Sequence, residues 1–172
     1  MKILNEEFEW HDFESNRKIR EAFRGTPKKT LVAVGSCLAR SLSSEKEEPD
    51  SRIKDSGIWS SPWWFDWNAT WTMLQQWKTA KSTPKDVLRA KLAITSKFSP
   101  TLDCLVQIIL TSPVYAWVGV AGRQEDKDIV TYLGGAEQYF LPNLASDPSN
   151  RRDLKSNVAY IHCFTSTDSL RW

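Results

Sequence analysis

The chain has 172 residues, 41% of them hydrophobic and 26% charged, with a formal net charge of +2. That length suits one domain with its own core, and the balanced charge, with no long basic stripe, gives no electrostatic basis for binding nucleic acid. No apolar run reaches the roughly 18 residues that would mark a membrane span. Cys37, Cys104 and Cys163 are too few and too scattered for a disulfide framework, and they and the two histidines, His11 and His162, show no zinc-ligand spacing, so no metal is expected.

The N-terminus turns acidic after its first residues and lacks an apolar signal core. This predicts synthesis in the cytoplasm, and any delivery would use a route independent of a cleavable signal peptide. Residues 14–24 read as a short helix with Ile19 and Phe23 on one face, stopped by Gly25-Thr26-Pro27. The basic residues of this segment read as a solvated face. Residues 30–38, TLVAVGSCL, form a continuous apolar run of strand length, with a bulge or close approach at Gly35. Residues 41–55 are polar and charged and read as an exposed loop.

Five of the nine tryptophans fall between Trp59 and Trp71. Ile58 and Trp59 suggest a short strand ending at Ser60-Ser61-Pro62, and Asn68 suits the N-cap of a helix reaching about Ala80. Thr83, Pro84 and Asp86 have the spacing of a capping box with Pro at the first helical position, which predicts a helix to about Ile94. Residues 102–110 and 113–120 are two strand-like runs joined at Thr111-Ser112, as a hairpin or a tight corner. A glycine-containing turn, GVAGRQ at 119–124, and a charged loop follow. The chain then enters Tyr132–Leu144, YLGGAEQYFLPNL. Here Gly134 and Gly135 permit a tight turn into a strand that Pro142 closes. Because side chains alternate along a strand, Gln138 and Phe140 share one face, and Glu137, Tyr139 and Leu141 the other. Residues 157–164 read as a final strand.

The run Gln138-Tyr139-Phe140-Leu141-Pro142 resembles the last motif of the ADP-ribosyltransferase and NAD-glycohydrolase superfamily, in which a catalytic Glu precedes three apolar residues and a Pro. Gln138 stands in the place of that Glu. Glycines shortly before a Gln-Tyr pair make the segment most similar to the necrotizing-toxin-type NAD glycohydrolases, and the order of strand, strand, glycine turn, short loop, Gly-Gly and Gln strand agrees with them. The resemblance implies a small α+β domain, residues 1–172, with a split, mostly antiparallel sheet flanked by short helices. It implies NAD as substrate and cleavage of the nicotinamide–ribose bond, by glycohydrolase or ADP-ribosyltransferase activity, in a toxin or effector with a target protein or a cognate inhibitor as partner. Gln138 and Glu137 are then the catalytic candidates. Arg40 and Arg123 are candidates for the diphosphate, Ser60, Ser61, Trp63 and Trp64 for supporting and facing NAD, Gly134 and Gly135 for its backbone contacts, and Tyr139 as an aromatic wall.

Breaking that bond builds positive charge on the ribose, as in glycoside hydrolysis. A carboxylate both positions the 2′-hydroxyl and stabilises the charge, whereas a glutamine positions it but contributes only a dipole. Glu137 compensates only if a bulge turns it into the same cleft. Two other readings lead elsewhere. A non-enzymatic interaction module would expose Trp63, Trp64 and their neighbours and leave Gln138 outside any cleft. A thiol hydrolase would bring Cys37 and His162 together.

Overall fold

A computed structural model describes residues 3–42, 61–79, 81–127, 130–142, 159–167 and 170. The domain is α+β. Its seven-stranded sheet has the order β1 (Lys28–Val32), β5 (Val114–Val120), β8 (Glu137–Phe140), β3 (Trp63–Asp66), β2 (Cys37–Leu42), β4 (Cys104–Leu110), β9 (Ala159–Ser166), and every pairing in it is antiparallel. A two-stranded ribbon, β6 (Gln124–Glu125) with β7 (Thr131–Tyr132), lies apart from it. The short helices are α1 (His11–Glu14), α2 (Arg17–Glu21), α3 (Trp67–Gln76) and α4 (Pro84–Lys91).

The sheet is split. Between β2 and β3 only Leu38↔Asp66 and Ala39↔Phe65 are in register, and beyond Ala39 the two strands part into a fork. The sheet also folds on itself. The stretch from Leu110 to Val114 can span at most about 14 Å, yet four strand spacings separate β4 from β5, about 19 Å in a flat sheet. The two halves must therefore approach each other at this corner. Their shared apolar cluster fits that: Leu38, Leu42, Val106 and Ile108 of one half are buried with Val32, Val114, Ala116 and Trp64 of the other. The corner expected at Thr111-Ser112 is thus a crossing between half-sheets rather than a hairpin.

Other elements depart from the sequence in specific ways. The 30–38 run is divided between an edge strand and a central one, because Gly35 takes φ +83° and the turn is captured across the end of β4 by Gly35 N–H to Leu110 C=O and Leu110 N–H to Ser36 C=O. The helix expected from Ala69 starts at Trp67, since Asp66 at the end of β3 accepts from Ala69 N–H at 2.7 Å and so caps it earlier than Asn68 would. The 14–24 helix is broken into α1 and α2, with Asn16 capping the second, and Phe23 is buried as the spacing required. The Thr83–Asp86 capping box forms as expected, and α4 ends at Lys91. Ile58 and Trp59 lie outside the described residues, as does most of the 41–55 loop. No helix among the described residues is long and apolar enough to cross a membrane.

Candidate functional site

A cavity of about 440 Å³ opens at the fork of the sheet. Arg40 and Ser41 of β2, Trp63 to Phe65 of β3 and Gln138 of β8 line its base. Lys18, Glu21 and Ala22 of the α2 segment form one wall, and Leu92 to Thr95 with Lys97 and Phe98, after α4, form the other. Gln124 of the ribbon also faces it.

Gln138 reaches this cavity through strand geometry. It pairs with Gly119 in register, one residue after Glu137↔Val120, so no bulge intervenes. Alternation therefore puts Gln138 beside Phe140 and Trp63 on the cavity side, and Glu137 beside Tyr139 on the other. Gln138 is only 9% exposed. Its Nε2 donates to the Ala22 carbonyl at 2.5 Å. Since a carbonyl only accepts, the amide orientation is determined, and Oε1 is left as the acceptor.

The same end of α2 is held twice more. Gly122 N–H also donates to Ala22 C=O, at 2.7 Å, and Gln124 Nε2 donates to Glu21 C=O at 2.9 Å. A Cβ on Gly122 would stand 2.7 Å from that Glu21 carbonyl, so the close approach depends on glycine. The ribbon also ties down the opposite wall: Asp126 accepts from both Ser96 N–H and Ser96 Oγ at 2.6 Å. Burial raises the Asp126 pKa, but the Ser96 and Lys127 hydrogen bonds outweigh it and hold the carboxyl below its ordinary value.

Gly134 and Gly135 shape the entry to β8, at φ +69° and +109°. Their N–H groups are engaged within the protein, donating to Ala90 C=O at 3.1 Å and Ala121 C=O at 3.0 Å. Neither glycine lines the cavity. They pack β8 against the end of α4 and the β5 turn, which is how they set the position of Gln138.

Arg40 is 6% exposed. It shares the side of β2 that carries Leu38 and Leu42, opposite to Gln138, and borders the cavity where the strands part. Its Nη1 reaches the Ser61 carbonyl at 3.4 Å, and its guanidinium carbon lies 5.8 Å from the Trp64 ring centroid. Ser61 is buried, and its Oγ accepts from Trp63 N–H at 3.3 Å, so this serine supports the start of β3. Ser60 lies outside the described residues. Trp63 is half-buried against Phe23 and Phe140, with centroids 5.5 and 4.9 Å away, and it faces the cavity.

Glu137, Tyr139 and Arg123 are not among the cavity's lining residues. Glu137 is exposed and accepts from the Tyr139 hydroxyl at 3.0 Å. Burial, then the Glu137 charge, pushes the Tyr139 pKa upward and keeps the phenol neutral. Arg123 is exposed and pairs with Glu125 at 3.4 Å. Trp64 is 1% exposed, and Trp67 and Trp71 pack against the core, so these tryptophans do not form the exposed face that an interaction module would need. Cys37 on β2 and His162 on β9 flank β4 from opposite sides. Among the described residues, no cluster of three or more His, Cys, Asp or Glu could hold a metal.

The α2 wall was not legible in the residues. Lys18, Glu21 and Ala22 sit at i, i+3 and i+4, one stripe of a helix, and this stripe reads as solvated until the β5 turn is folded against it. Among the described residues, the charges that line the cavity are three cations, Lys18, Arg40 and Lys97, and one carboxylate, Glu21. The excess of cations suits an anionic ligand.

No protein-family model and no curated protein matches the chain. Among solved structures, a chain in "Structure of Tne2 in complex with Tni2" is similar at TM-score 0.45 and 16% identity, over 84% of this chain and 95% of that one.

Proposed function

We propose that this domain binds NAD in the fork cavity and cleaves its nicotinamide–ribose bond, releasing ADP-ribose to water or to a target protein, as a toxin or effector would. The observation that carries this reading is Gln138, the residue in the motif position, lining the same cavity as Trp63 and Arg40 with its amide oxygen left as an acceptor. In this reading Gln138 Oε1 accepts from the ribose 2′-hydroxyl and orients the sugar. Trp63 gives the flat nicotinamide an aromatic wall. Arg40 and the rim cations Lys18 and Lys97 attract the diphosphate, whose charge matches their sign. Gly134 and Gly135 act through β8 rather than on NAD, and Tyr139, Glu137 and Arg123 have no direct part. A cognate inhibitor protein would act by covering the cavity mouth.

The test is incubation of the purified protein with NAD, measuring free nicotinamide and ADP-ribose, beside Gln138→Ala. Loss of oriented binding should lower turnover about 100-fold. Circular dichroism should show that the variant keeps its fold. Release that Gln138→Ala leaves unchanged would remove the site from this cavity. No release together with no NAD binding by calorimetry would refute the reading. Labelled protein in place of free ADP-ribose would distinguish transfer from hydrolysis.

A further inference from the structure

Cleavage of NAD in this cavity needs a negative charge that Gln138 does not carry. On the premise of that NAD reading, we infer that Glu21 supplies the charge, as a catalytic carboxylate contributed by α2 rather than by the glutamine motif.

Glu21 is the carboxylate among the described residues that line the cavity. Its backbone is seated with unusual care for the end of a five-residue helix. Gln124 bonds its own carbonyl, and Gln138 and Gly122 both bond the carbonyl of the next residue, Ala22. The amide that orients the ribose is thus anchored one residue from the carboxylate. Movement of either would be felt by the other. Arg17 Nε holds Glu21 Oε1 at 2.7 Å, which restricts the side chain's rotamers. The pair is exposed and adds little to stability.

A carboxylate in this position has two roles. It faces the positive charge that grows on the ribose as the glycosidic bond lengthens. It also accepts the proton of the attacking water. The water oxygen bonds to ribose C1′ as the C1′–nitrogen bond breaks, and the bonding pair leaves with the nicotinamide ring nitrogen. The water proton passes to Glu21 and then to solvent, giving ADP-ribose, nicotinamide and one proton.

Glu21→Gln preserves shape and removes the charge. Its kcat for nicotinamide release should fall about 100-fold or more with KM unchanged. In Glu21→Ala, added sodium formate should restore part of the lost rate, because a small carboxylate can occupy the vacated space. Several results would overturn the inference: Glu21→Gln with the parent's kcat while Gln138→Ala is inactive, a rise in KM alone, or a Glu21→Ala loss that formate does not relieve and that accompanies a lowered melting temperature. No release by the parent protein would overturn the NAD reading itself, and Glu21's role with it.

Discussion

Gly134 is where one methyl group should do the most damage. At φ +69° an L-residue already bears strain, worth about 1–3 kcal/mol. A Cβ there would also overlap the Ala121 carbonyl oxygen and stand 2.7 Å from that of Gly122, both backbone atoms. The clash is relieved only by moving the β5 turn away from β8. That movement strains three bonds at once: Gly134 N–H to Ala90 C=O, Gly135 N–H to Ala121 C=O and Ala121 N–H to Ala136 C=O. Losing two of them adds about 1–3 kcal/mol. Gly134→Ala should therefore cost about 4 kcal/mol, a fall in Tm of about 8–16 °C for a domain of this size. Gly135→Ala is the matched control. Its φ is also positive, +109°, but nothing lies within 4 Å of the added carbon, so only the conformational strain of about 1–3 kcal/mol applies. Thermal and urea denaturation of the two variants beside the parent would measure the difference. Equal stability of the two alanine variants would show that the Ala121 carbonyl yields freely, and would refute the claim that this contact fixes the entry to β8.

Two further outcomes concern carboxyl groups. Gln138→Glu replaces the donor facing Ala22 C=O with a second acceptor, which should cost about 1–3 kcal/mol at neutral pH. Only the protonated acid can donate there, so its folded pKa is raised, and stability relative to the parent should recover as pH falls; a pH-independent deficit would contradict this. Asp86 is held below its ordinary value by the Thr83 backbone and side-chain hydrogen bonds. A depressed folded value means that its contribution is full above the usual aspartate range and is lost as pH falls through the folded value. Asp86→Asn should thus flatten the acid limb of the stability curve, and an unchanged limb in chemical denaturation across the acid range would assign that limb to other groups.

Features set by neighbours in the chain were legible in the residues. The Thr83–Asp86 box is closed by atoms three residues apart, so its spacing alone specifies it. The glycine turn before β8 and the opposition of Glu137 to Gln138 follow from local dihedrals and the strand's period of two. So does the pairing of Ile19 with Phe23 on one side of the 14–24 segment. Boundaries were less legible, because capture from elsewhere moves them: Leu110 bends the 30–38 run at Gly35, and Asp66 starts α3 before Asn68 can.

What the tertiary structure alone decided is which side of each element meets the cavity. Alternation says that Gln138 and Glu137 diverge, but only the β5 and β3 partners determine that the Gln138 side faces inward. Arg40 was a candidate by its residue type, and its place at the fork exists because β2 and β3 pair over just two residues before parting. Glu21 carried no signal at all, since a charged residue on a short helix looks like any solvated one. Its backbone is set at the cavity wall by residues about one hundred positions away: Gln124 bonds the Glu21 carbonyl, and Gly122 and Gln138 bond that of Ala22. Contacts that distant depend on chain closure and packing, which no local pattern encodes.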